Sequence, residues 1–244
     1  MSQENLIPVV LLLLLGFVLG IGATMLAWII ALQRRARPIK PLIRHWPEFP
    51  VFKLTLAPRP ASWMAIRSQS PQAVRAALGL DHFAPCPWGE GLAGGHRFFI
   101  GPPVNGWIIV TGSGLPDPGN DADECFRFLT RLSRKLGHVQ FFQAERVLQH
   151  HAWVRLENGV VKRAYAWASE TVWNQGVKTA GEMDLSMKCF GYSEHPAADS
   201  WAAAEWMAAN VAKVPLLAAR WSLDPARIDG RLRKHADGIA GEPL

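Results

Sequence analysis

The chain has 244 residues, a hydrophobic fraction of 49%, a charged fraction of 19% and a formal net charge of +6. The hydrophobic content excludes a wholly disordered chain, and the length allows one membrane segment plus one folded domain. Three cysteines, Cys86, Cys125 and Cys189, are odd in number, widely spaced and free of CxxC pairing, so the sequence indicates neither a disulfide framework nor a zinc site.

Five residues of polar tail, 1–5, precede an uncharged apolar stretch, Leu6 to Leu32. At ~1.5 Å per residue it is long enough to cross a ~30 Å hydrocarbon core, which predicts a transmembrane helix over 6–32. A cleaved signal peptide fits poorly, because the leading MSQEN carries no Lys or Arg and the apolar run is too long. The basic residues Arg34, Arg35, Arg37, Lys40 and Arg44 follow directly. Lys and Arg stay on the cytoplasmic side of a span, so the expectation is an inner (plasma) membrane protein, single-pass, with its N-terminus outside and its C-terminal domain cytoplasmic. Gly16, Gly20 and Thr24 recur every four residues, a small-residue face suited to close helix packing and to a homodimer.

Between Gln33 and Arg67 stand eight basic residues and one acid, Glu48, whereas from Ser68 onward 18 basic and 18 acidic residues cancel. The basic segment suits anionic lipid headgroups. The neutral remainder gives no reason to expect nucleic acid as a partner. Prolines 38, 41, 47, 50, 58 and 60 make residues 33–61 a semi-rigid juxtamembrane linker with one short strand over 51–56, and the cytosolic domain is placed at 62–235 with a C-terminal tail at 236–244.

Within the domain, Ser70-Pro71 opens a helix that Gly79 closes. A loop-rich region, 81–95, leads to strand-like runs at 96–100 and 107–111, the second being the continuously apolar WIIVT of a central strand. Asp121 caps an amphipathic helix over 122–136 that Gly137 stops, with Ala122, Cys125, Leu129, Leu132 and Leu136 on its apolar stripe. A strand over 138–142 comes next. Asn158-Gly159 then joins two strands as a type I′ hairpin, for which an unbroken register pairs Leu156 with Val161, Val154 with Arg163, Ala152 with Tyr165 and His150 with Trp167. Further helices are expected over 180–189, 200–212 (ended by Pro215), 216–221 and a short one after Asp224-Pro225. The sum is an α+β fold: an antiparallel or mixed sheet with helices packed on one side, preceded by a single N-terminal transmembrane helix.

Motifs for chemistry are sparse. Gly89, Gly91 and Gly94 match GxGxxG, but Pro85 and Pro87 stand where a nucleotide site needs a strand, so a loop is expected there. The acids Asp117, Asp121, Asp123 and Glu124 fit no EF-hand spacing. No cofactor and no metal are expected. Eleven tryptophans in the chain point to aromatic packing, with Trp173, Trp206 and the neighbouring Met207 as candidates for an exposed recognition surface. The leading functional expectation is a non-catalytic domain that binds a protein or peptide near the inner membrane. The alternative is a membrane-tethered, hydrolase-like enzyme using His150 or His151 with Glu170, Glu182 or Cys189.

Overall fold

Among the described residues, nine strands form one antiparallel sheet in a computed structural model of the chain. The structure describes residues 60–194, 201–228, 230 and 237–243, all within the second of the two units, Leu54–Leu244, into which the chain divides. Among the described residues no helix is long and apolar enough to cross a membrane. The expected span 6–32 with its Gly16, Gly20 and Thr24 face, and the basic residues from Arg34 to Arg44, lie outside the described residues.

The strands are β1 (Ser62–Arg67), β2 (Leu80–Cys86), β3 (Phe98–Ile100), β4 (Trp107–Thr111), β5 (His138–Ala144), β6 (His151–Glu157), β7 (Val160–Trp167), β8 (Thr171–Gln175) and β9 (Gly238–Pro243), in the spatial order β2-β9-β3-β4-β1-β5-β6-β7-β8. The helices are α1 (Pro71–Leu78), α2 (Trp88–Leu92), α3 (Ala122–Leu136), α4 (Ala180–Asp184) and α5 (Trp201–Trp221).

Helices cover both faces of the sheet, not one. Alternate residues of each strand feed two cores. Met64, Ile66, Val110, Phe141 and Val154 pack with Val74 of α1 and with Cys125, Leu129 and Leu132 of α3. Trp63, Ala65, Ile109, Phe142, Trp153 and Tyr165 pack on the other face with Trp88 of α2 and with Met207, Val214 and Leu217 of α5.

The ends of α3 fall where the caps place them. The Asp121 carboxylate accepts from Glu124 N at 2.8 Å, Asp123 and Glu124 occupy the positive first turn, and Arg134 and Lys135 the negative last turn. Ser133 then ties this helix to the hairpin: its hydroxyl donates to the Gly137 carbonyl at 2.7 Å and accepts from Gly159 N at 3.0 Å. Replacing Ser133 with alanine strands the turn amide, so a loss of about 1–3 kcal/mol in urea unfolding is expected.

Asn158 (φ 50°) and Gly159 (φ 80°) adopt the positive φ values of the expected turn, but the register is not unbroken. Leu156 does face Val161. A bulge at Lys162 then shifts the pairing, so Arg155 faces Arg163, Val154 faces Ala164, Trp153 faces Tyr165 and His151, not His150, faces Trp167. The bulge moves Arg163, Tyr165 and Trp167 from the α3 face to the α5 face. There the large aromatics find the deeper core and Arg163 finds a carboxylate.

Four further expectations change. The stretch 81–95, expected to be loop-rich, instead holds most of edge strand β2 and the short helix α2. The segment 236–244, read as a tail, contains β9, which sits inside the sheet between β2 and β3. Pro215 does not end a helix: α5 runs through it. An internal proline costs about 3 kcal/mol, and here Met207, Val211, Val214, Leu217 and Ala218 lie buried before and after it, offsetting that cost. The expected helix over 180–189 is only the five residues of α4.

Candidate functional site

Three local arrangements hold the residues that carry chemistry. The first is a polar node between β6, β7 and α4. Arg163 and Glu182 form an ion pair at 2.9 Å with both side chains almost wholly buried. Glu182 Oε1 also accepts from Trp153 Nε1 at 2.8 Å, while Oε2 accepts from Thr179 N and from Thr179 Oγ1 at 2.8 and 2.9 Å, completing a capping box at the start of α4. Arg163 spends its remaining donors on the Ala164, Gln175 and Gly176 carbonyls, on Asn174 Oδ1 and on Cys189 Sγ. Both Glu182 oxygens are thus held by donors within the node. Burial pushes the Cys189 thiol up to about 11 against the opposing pull of Arg163 and Lys178, so it stays protonated near neutral pH.

His151 lies beside this node without joining it. Its ring stacks on Trp153 (5.8 Å between centroids, 12° between planes), and it is fully buried. Nδ1 donates to the Gln149 carbonyl at 2.9 Å and Nε2 accepts from Asn210 Nδ2 at 3.2 Å. The Asn210 amide is fixed by Lys188, whose N–H it accepts from and whose carbonyl it donates to. That arrangement sets the tautomer. Burial lowers the His151 pKa to about 4, only partly opposed by the Gln149 bond. His150 points elsewhere, into a groove it shares with Asp117, Gln143 and Glu145. Glu170 lies in the β7–β8 turn, where its carbonyl accepts from Ala168 N. The five residues of the enzymatic alternative are therefore not assembled into one reacting set: Glu182 and Cys189 share the node, and the two histidines and Glu170 do not contact it through any described bond.

The second arrangement is an aromatic ledge. Trp167, Phe190 and Trp206 follow one another with centroids 5.5 and 6.3 Å apart, and Lys188 Nζ lies 5.2 Å from the Trp206 ring. Trp206 is 39% exposed, whereas its neighbour Met207 is 4% exposed and belongs to the core. Trp173 is buried, contrary to the reading of WNQG as an exposed turn: the segment is edge strand β8, and its indole packs edge-on against Phe126 at 5.7 Å. Beside the ledge, the exposed Tyr192 hydroxyl accepts from Asn174 N at 2.8 Å and donates to Asn174 O at 3.2 Å, which blocks part of the β8 edge.

The third arrangement was not anticipated. Cys86 at the end of β2, Glu90 on α2 and His96 before β3 bring a thiol, a carboxylate and an imidazole together. His96 Nε2 is 3.4 Å from Cys86 Sγ and 3.1 Å from Glu90 Oε1. The supports of these residues are rigid. At Gly91, a Cβ would meet the Phe99 ring at 2.2 Å, so only glycine lets α2 lie this close to β3, and Thr111 Oγ1 donates to the Gly91 carbonyl at 3.1 Å. His96 is anchored through its carbonyl, which accepts from Ser113 N at 3.1 Å. The spacing C-x3-E-x5-H matches no standard template, and Glu90 and His96 reach Cys86 only because α2 turns the chain back.

No protein-family model, no curated protein and no solved structure matches the chain.

Proposed function

We propose that the chain is a single-pass inner-membrane protein whose cytosolic α+β domain binds another protein or peptide near the bilayer and catalyses no reaction. The uncharged stretch 6–32 and the basic segment behind it support the tether and its lipid contacts. The observation that carries the binding role is the Trp206 ledge. A large, stiff, half-polar ring is left on the surface in a domain that buries most of its described tryptophans, and it is braced from beneath by Phe190. Lys188 at its rim complements a partner segment that places an apolar side chain next to a carboxylate.

Site-specific photocrosslinking in intact cells tests this reading. A photoreactive phenylalanine analogue at position 206 on α5 is expected to give a discrete higher-mass adduct, and the same group at Val177, which is exposed on the loop between β8 and α4, is expected to give none. Equal labelling at both positions, or none at 206, would overturn it.

A further inference from the structure

Cys86 Sγ and Glu90 Oε1 both lie within hydrogen-bond distance of His96 Nε2, at 3.4 and 3.1 Å. If Nε2 carries a proton, it donates to Glu90 and offers nothing to the Cys86 S–H; if it is bare, it accepts from the thiol and faces the carboxylate lone pairs directly. Without a metal, the Cys86 thiol donates to the Pro87 carbonyl at 3.5 Å when Nε2–H serves Glu90, so the imidazole engages one of its two neighbours at a time. A cation at the centre of the triangle would engage all three groups at once, since each can point a lone pair at it.

The spacing suits such a cation. Donors bound to one tetrahedral zinc, with Zn–S near 2.3 Å and Zn–N or Zn–O near 2.0–2.1 Å, stand about 3.3–3.6 Å from one another. The Sγ–Nε2 and Nε2–Oε1 separations of 3.4 and 3.1 Å approach these edges, and all three donors lie within 4.8 Å of each other. Local charge agrees, because both Glu90 and Asp237 place negative charge near the thiol. The mixture of sulfur, imidazole nitrogen and carboxylate oxygen is borderline-soft, which favours zinc over magnesium or calcium.

We propose that Cys86 Sγ, Glu90 Oε1 and His96 Nε2 form a zinc site with three protein ligands and a fourth position open to solvent. The open position faces a surface groove of about 450 Å³ beside β2 and β9, lined also by His82, Arg97 and Glu242. Binding breaks the Cys86 S–H bond heterolytically, the sulfur keeps the electron pair for the metal and the proton passes to water. Zinc there would join edge strand β2 to the start of β3 and hold an exchangeable water or small anionic ligand at the groove. This goes beyond the proposed partner binding and does not depend on it.

Cobalt(II) titration of the full-length, detergent-purified, untagged and chelator-stripped protein reads the site directly. One equivalent is expected to produce a sulfur-to-cobalt charge-transfer band in the near ultraviolet with release of about one proton, and one equivalent of zinc to abolish that band. Cys86→Ser should remove the band, Cys189→Ser should leave it, and His96→Gln and Glu90→Gln, both on partly exposed side chains, should weaken binding by more than about tenfold with far-UV circular dichroism unchanged. A folded wild-type protein with no band at one equivalent would overturn the site. So would a band that persists in Cys86→Ser, or wild-type titrations of either His96→Gln or Glu90→Gln.

Discussion

Glu182→Ala is expected to lower the unfolding free energy of the domain by about 3–5 kcal/mol, seen as a fall in the urea midpoint at unchanged slope. The size follows from what the carboxylate leaves behind. Arg163 keeps its full charge in a site that is almost closed to water, and the carbonyls around it supply dipoles but no counter-charge. The Trp153 indole N–H loses its acceptor in the same core, and α4 loses its capping box. Glu182→Gln should cost nearly as much, since it removes the charge and turns an amide N–H toward groups that are themselves donors. The double variant Arg163→Met, Glu182→Leu should recover much of the loss, because a buried pair is expensive to break and cheap to replace with apolar bulk. A change below about 1 kcal/mol for Glu182→Ala would show that water reaches the pair and screens it.

The same node bears on the binding surface. The segment after α4 carries Lys188, Cys189 and Phe190, and its backbone is held by Tyr165, whose hydroxyl accepts from Phe190 N at 3.1 Å, by Asn210 and by Thr171. Arg163 reaches this segment through Cys189. Loosening Glu182 therefore loosens the support under Trp206, and the crosslink at position 206 should weaken together with stability.

Where signals are local, they could be read directly. Asp121 and Gly137 bound α3 because a cap and a stop act over one turn, and Asn158-Gly159 names its own turn because only a few residues tolerate positive φ there. The hairpin register was not local. It depends on whether Arg163 faces Val154 or Arg155, and the side that places Arg163 beside Glu182 on α4, 19 residues away, is the one the bulge selects. Two covered faces were in fact implied by WIIVT, whose Ile108, Ile109 and Val110 are all fully buried: a strand without alternation has no wet side. By contrast β9, with the sequence GIAGEP, lacks alternation and has one β-branched residue, Ile239, among two glycines and a proline. Its glycines serve close approach, for a Cβ on Gly238 would stand 2.4 Å from the Phe99 ring and one on Gly241 2.7 Å from the His82 carbonyl. The zinc donors escaped for a related reason, since their convergence is a property of the α2 turn and not of any repeat in spacing.

Acidification should destabilise the domain before its carboxylates titrate, through His151. The unfolded imidazole takes a proton near its ordinary value of 6.5, whereas the folded one resists until about pH 4. Between these limits the unfolded chain binds more protons, so stability is complete above pH 6.5 and falls as pH drops through the window, by about 3 kcal/mol at its lower end. Geometry explains the resistance. A proton on Nε2 would meet the Asn210 Nδ2 donor head-on, and the amide cannot turn over without breaking both bonds to the Lys188 backbone. The rings of Trp153 and Tyr165 close the remaining sides, and His150 adds repulsion of the same sign. His138, half-buried with a lowered pKa, contributes a smaller slope in the same direction. In His151→Gln the side-chain oxygen can still accept from Asn210 but binds no proton in this range, so urea unfolding should become nearly flat from pH 6.5 to 4 apart from the His138 share. Because Asn210 lies on α5 and His151 on β6, the wild-type loss should begin as detachment of that helix, with faster hydrogen exchange across 204–214 at pH 4.5 than at pH 7 once intrinsic rates are corrected. An equal pH slope in wild type and His151→Gln would place the sensitivity elsewhere.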